Sequence, residues 1–171
     1  MLAFNELGNN GRLGNQMFQY AALRGIASYK GYDWCIPPFT TPRVDNYSLA
    51  NCFVMEDVKS TNQYILDRGQ APVVVEKQFH FDKELLELCP NDVSLHGFFQ
   101  TEKYFAHIKD QIRKEFTFHD DLSIPVKGFL DELKDPIFLH VRRGDPNLVD
   151  ARGFKWSYTQ CSDQHPPQPL E

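Results

Sequence analysis

MLAFNELGNNGRLGNQMFQYAALRGIASY, residues Met1 to Tyr29, changes its hydrophobic period once, and that change decides the fold. Met1 to Leu7 is a short, apolar-rich candidate strand, and Gly8, Gly11 and Gly14 then interrupt it with a loop. From about Asn15 the spacing becomes helical: Phe18, Ala21, Ala22, Gly25 and Tyr29 fall on one face, with Asn15 as the expected N-cap. Strand, glycine loop and helix in this order open an α/β domain.

The same alternation continues down the chain. Trp34 to Ile36 and Val73 to Val75 read as strands, the second a β-branched run of the kind buried inside parallel sheets. Thr40 to Gln70 is polar and irregular. A helix is expected over Asp82 to Leu88, ended by Pro90, then a strand over Val93 to Phe99. Thr101 to Phe116 reads as one helix, because Tyr104, Ile108, Ile112 and Phe116 repeat every four residues behind a threonine cap. A short helix, Val126 to Leu133, precedes Pro136 and the strand-like run Ile137 to Val141. Strands alternating with helices predict a largely parallel, Rossmann-like sheet. Residues 1–150 are expected to form that domain. Residues 151–171 lose all periodicity and end Pro-rich, as a loose tail or the start of a further domain.

Composition narrows the function. The 171 residues are 42% hydrophobic, 13% aromatic and 24% charged, which suits a folded globular domain. A net charge of -5 without a basic stripe argues against a nucleic-acid partner. Cys35, Cys52, Cys89 and Cys161 lack zinc or redox spacing and are expected as free thiols in a reducing compartment. With neither a membrane-length apolar run nor a signal-peptide pattern, the expected location is the cytoplasm, with membrane association only through parts not in this chain.

Two clusters have the chemistry to bind an anionic ligand. In the first, Gly11, Arg12, Gly14, Asn15 and Gln16 sit between a strand and a helix N-terminus, where glycines allow close backbone approach and unpaired N–H groups attract anions. The same pattern serves as a purely structural turn, and its spacing is not that of a dinucleotide fingerprint. In the second, HVRRGD from His140 to Asp145, an extended chain sends His140 and Arg142 to one side and Arg143 to the other. Arg142 then sits at a strand's carboxyl end with a fork suited to phosphate. Gly144 permits a sharp exit, and Asp145 can hold an arginine or accept from a sugar hydroxyl. A surface Arg–Asp turn is the alternative. A third cluster, FFQTEKYF from Phe98 to Phe105, mixes aromatics with polar tips and equally suits core packing.

In this order, GRLGNQMFQYA (Gly11 to Ala21), EKQFHFD (Glu76 to Asp82), GFFQTEKYF (Gly97 to Phe105) and HVRRGD (His140 to Asp145) resemble the alpha-1,2-fucosyltransferases of glycosyltransferase family 11. The resemblance implies the amino-terminal half of a two-domain, GT-B type enzyme that inverts at the anomeric carbon. It implies GDP-fucose as donor, the 2-hydroxyl of a β-galactoside as acceptor, and no metal or other cofactor. Arg142 would be catalytic, stabilising the departing diphosphate. His140, Arg143, Gly144 and Asp145, with Gly11, Arg12, Gly14, Asn15 and Gln16, would line the donor site. Pro146 departs from the tyrosine usual in the family. Family members are roughly twice as long, so the chain is expected to be either a truncated product or a fragment of a longer one, with impaired activity on its own. A half-domain that binds glycan or nucleotide-sugar weakly, and a sugar-blind nucleotide-binding domain, stand as alternatives. His80, His96, His107 and Glu102 are candidate general bases only in that they titrate, and none is assigned.

Overall fold

The computed structural model describes residues 1–55, 58, 71–134, 137 and 139. The chain divides into two compact units, Met1–Phe129 and Leu130–Glu171. Of the second unit only residues 130–134, 137 and 139 are described, so the expected boundary at residue 150 and the tail lie outside the described residues.

The first unit holds a four-stranded, wholly parallel sheet. Its strands are β1 (Leu2–Ala3), β2 (Trp34–Cys35), β3 (Val73–Val75) and β4 (Val93–His96), arranged β2-β1-β4-β3. Leu2 is in register with Trp34 on one side and Val93 on the other, and Val74 with Leu95. The α/β, Rossmann-like expectation therefore holds.

Strand β1 is shorter than the sequence suggests. The N–H of Asn5 leaves the ladder to donate to Ser94 Oγ at 3.0 Å, and Leu7 N turns back to Phe4 O at 3.0 Å. Strand β3 stands at the sheet's edge, so Val73 and Val75 are more than half exposed where a doubly buried strand was expected. Only Val74 packs against the core. Hydrophobicity reported a strand there but not its position in the sheet.

Helix α1 (Leu13–Lys30) follows β1 and is the main support of the sheet. Its N-cap is Arg12, in extended conformation, and not Asn15, which lies inside the first turn. Gly31 ends it in the left-handed conformation at φ 67°, its N–H returning to carbonyls of the last turn, while Lys30 complements the negative end of the helix dipole. The small residues Ala21, Ala22 and Gly25 are buried and let neighbouring backbone approach closely.

A Cβ on Gly25 would stand 2.2 Å from Tyr104 O and 2.7 Å from Phe105 Cα, both backbone atoms that cannot swing away. Gly25→Ala is therefore expected to lose about 1–3 kcal/mol, although alanine is the better helix former by about 1 kcal/mol. Gly128, where an added Cβ meets nothing within 4 Å, serves as the contrast. In thermal melts Gly25→Ala should lower Tm by roughly 2–10 °C and Gly128→Ala should raise it slightly. An increase in both would contradict the close contact.

After α2 (Leu49–Cys52), α3 (Lys83–Leu88) begins at an Asp82 cap whose Oδ1 accepts from Leu85 N at 2.9 Å. The expected single helix over Thr101 to Phe116 is broken into two 3₁₀ turns, Glu102–Tyr104 and Ala106–Ile108, followed by α4 (Lys109–Glu115). Phe105, at φ -132°, interrupts it. The break lets Tyr104 enter the core against Phe99 and Phe81, while Phe105 meets Phe18 on α1. Helix α5 (Asp120–Asp131) starts six positions before its expected beginning and carries Pro125 within it. Proline removes one intrahelical N–H, which is why the sequence pattern places the start after it.

One ion pair ties α1 to α4. Arg24 Nη2 and Glu115 Oε1 are 2.6 Å apart, Arg24 Nε reaches Glu115 Oε2 at 3.2 Å, and each side chain is only 11% exposed. The Tyr20 hydroxyl donates to Glu115 Oε2 at 3.0 Å, and the guanidinium lies 4.2 Å above the Trp34 ring. Burial pushes the Tyr20 hydroxyl pKa up, helped by the Glu115 charge. For Arg24 burial acts against the charge, but hydrogen bonding and attraction from Glu115 outweigh it and hold the guanidinium protonated.

Among the described residues no helix is long and apolar enough to cross a membrane, and Cys35, Cys52 and Cys89 form no disulfide with one another. Burial raises the pKa of the Cys89 thiol. Cys161 lies outside the described residues.

Candidate functional site

Because all four strands are parallel, the segments that follow β1, β3 and β4 leave from one edge of the sheet. Ligands of open α/β sheets gather at this carboxyl edge. Three of the four sequence stretches singled out above meet there.

The glycine turn is locked from beneath. Gly8 and Gly11 adopt φ of 87° and 82°, which a side chain would resist. Gly11 N donates to Asp45 Oδ2 at 2.7 Å, and its missing Cβ makes room for Asn15, whose Nδ2 would lie 2.2 Å from such an atom. Gln16 is fully buried. Its Nε2 donates to Gly11 O at 3.1 Å and Asn46 O at 2.9 Å, and its Oε1 accepts from Ser48 N at 2.9 Å. Gln16 thus shapes the turn through internal bonds. Asn15 Oδ1 accepts from Gln100 Nε2 at 2.6 Å, joining this turn to the one after β4. Arg12 and Gly14 are exposed, with open space around Gly14.

Two residues that residue-by-residue reading did not assign complete the arrangement. Gln19, on α1 and fully buried, donates from Nε2 to Asn10 O at 3.1 Å and Gly97 O at 2.9 Å, bridging the two turns. Glu76, directly after β3, accepts at Oε2 from Phe98 N at 2.7 Å and Phe99 N at 3.0 Å. Consecutive N–H groups on one oxygen make an anion-binding nest, here filled by the protein's own carboxylate. Phe99 beside it holds a left-handed φ of 52°, an uncommon and costly state for a bulky residue. Gln19 Oε1 and Glu76 Oε1 are buried without a hydrogen-bond partner among the described residues. A second glutamine three positions after Gln16, on the same helix face, was the available signal for Gln19, and an acid at a strand's carboxyl end was that for Glu76.

The remaining candidates divide. His96 ends β4 and is half-buried, whereas His80, His107 and Glu102 are exposed. His107 Nε2 is 3.1 Å from Gly25 O. Among the described residues no three His, Cys, Asp or Glu side chains gather as a metal site. His140, Arg142, Arg143, Gly144 and Asp145 lie outside the described residues, as do all of Ile137 to Val141 except Ile137 and Leu139, which are exposed.

Residues 2–165 match the model of the family described as Glycosyl transferase family 11. The chain belongs to that family. Among the curated relatives of this family 11 chain is Galactoside alpha-(1,2)-fucosyltransferase 1 of Homo sapiens, 29% identical over 158 residues, covering 85% of this chain and 40% of the relative. The Sus scrofa protein of the same name is 30% identical over 159 residues, with the same coverage. Alpha-1,2-colitosyltransferase of Escherichia coli is 25% identical over 161 residues, covering 79% of this chain and 52% of the relative. The family 11 chain thus spans about 40% of the length of the mammalian relatives and about half of the bacterial one. No solved structure matches it.

Proposed function

We propose that this family 11 chain carries the amino-terminal part of an inverting, metal-independent galactoside 2-alpha-L-fucosyltransferase that uses GDP-fucose. The 2-hydroxyl oxygen of a β-galactoside attacks the anomeric carbon of fucose on the face opposite the diphosphate. The bond from that carbon to the β-phosphate oxygen breaks, its electron pair leaves with GDP, and the hydroxyl proton passes to a base that no residue here is assigned to be. Arg142 takes up the charge developing on the diphosphate, and His140, Arg143, Gly144 and Asp145 complete its surroundings. The Gly11 to Gln16 turn offers the Arg12 and Asn15 side chains and the exposed Gly14 as polar contacts for the ligand.

The observation that carries this reading is the family match across residues 2–165. The parallel sheet supports it by bringing the first three shared stretches to one edge.

Transfer of labelled fucose from GDP-fucose to lactose tests the reading, with GDP-mannose as the competing donor. Measurable transfer from GDP-fucose alone is expected. Thermal shifts with GDP, GDP-mannose and GDP-fucose add a readout that needs no turnover. Equal shifts with all three, together with no transfer, would leave a sugar-blind nucleotide-binding domain in its place.

A further inference from the structure

Two phenylalanines stand at the carboxyl edge of the sheet without entering the core. Phe79, four residues past β3, is 77% exposed. Phe98, two residues past β4, is half-buried. Their rings are stacked, with centroids 6.5 Å apart and planes 27° from parallel.

The backbone beneath Phe98 is built to hold this pose. Glu76 Oε2 binds the N–H groups of both Phe98 and Phe99, and Gly97, at φ 152°, admits that carboxylate where a Cβ would lie 2.7 Å from it. Phe99 takes the left-handed conformation and buries its own ring 5.9 Å from Phe4 and 5.4 Å from Tyr104. Of two consecutive identical residues, one is anchored inward and the other is turned out. A strained backbone, a buried carboxylate and a side chainless residue all fix the orientation of an aromatic that core packing does not require.

We infer that Phe79 and Phe98 form a stacking platform for the pyranose ring of the acceptor β-galactoside, an inference that rests on the function proposed above. The axial 4-hydroxyl of galactose leaves hydrogens 3, 4 and 5 together on one face of the ring, an apolar patch that fits a flat aromatic. Mannose lacks that patch. Gln100, exposed and bonded to Asn15 of the glycine turn, supplies neutral polar groups at the same edge of the sheet for hydroxyls. An exposed aromatic face suits a neutral sugar, which has one apolar face to pack and hydroxyls around its rim.

Ligand-observed saturation-transfer NMR on the intact chain tests this, using methyl β-D-galactopyranoside and, as control, methyl α-D-mannopyranoside. Binding of the galactoside is expected, with strongest saturation at protons 3, 4 and 5 and little signal from the mannoside. Phe79→Ala should weaken it about tenfold, and Phe79→Trp should preserve it. Phe79 is exposed, so both variants should keep the parent's melting temperature. Galactoside binding indifferent to Phe79→Ala, equal binding of both sugars, or no binding of either overturns the inference. GDP binding, measured in parallel, separates the two claims: if GDP binds and the platform fails, this inference alone falls, and if neither ligand binds, the proposed function falls with it.

Discussion

Glu115→Ala is expected to cost about 3–5 kcal/mol of folding stability, the largest loss from any single surface-distant contact described above. The carboxylate accepts from Arg24 through both oxygens, from the Tyr20 hydroxyl and from Gln111 Nε2. Its removal strands a guanidinium that is 11% exposed and leaves a buried phenol without its acceptor. The cost arises from the unpaired charge more than from lost attraction, so removing both partners should be much milder. The double variant Arg24→Met, Glu115→Leu is expected to recover most of the loss, since apolar packing replaces a desolvated pair at little net cost. Chemical denaturation of the parent protein, Glu115→Ala and the double variant measures both quantities. A single-variant loss below about 1 kcal/mol would mean the pair behaves as a solvated surface bridge.

Arg142→Ala is expected to lower fucose transfer by about 10²–10³-fold, the loss usual when a charged or polar donor is removed from a developing anion. On the proposed reading the negative charge on the diphosphate grows as the glycosidic bond breaks. A fixed cation therefore binds the transition state better than the ground state, and the effect should fall on kcat more than on KM. Arg142→Lys should recover only part of it, because a point charge cannot make the two parallel bonds of the guanidinium fork. Steady-state transfer from saturating GDP-fucose reads the split. Turnover within a factor of a few of the parent protein would remove Arg142 from the mechanism.

The fold was legible wherever the hydrophobic period changed sharply. Strand, glycine turn and helix over the first thirty residues, the Asp82-capped helix and the Val93 strand all appear in the structure, because local patterning and the tertiary fold agree there. The misreadings share a cause. Val73 to Val75 carries the same residues whether it lies inside a sheet or at its edge, since strand order is set by distant partners. Thr101 to Phe116 has the spacing of one helix, but Tyr104 and Phe105 must reach separate partners, which no continuous helix allows.

Glycine content marked the turn after β1, while the roles of its amides were hidden. Gln16 and Gln19 differ by three positions and look alike in sequence, yet one ties the glycine turn to Asn46 and Ser48 and the other ties it to Gly97. Glu76 grips the backbone of Phe98, a partner far along the chain that no local pattern announces.

The order of the strands has a bearing on how the chain is made. Strand β1 occupies the middle of the sheet, yet it leaves the ribosome before both of its neighbours, and Leu2 must wait for Val93. At ordinary rates of translation that delay is on the order of ten seconds. During it a sticky ribbon of Leu2, Ala3 and Phe4 is presented with one flank open. A nascent polypeptide built this way is a natural client for chaperones that shield apolar segments near the exit tunnel.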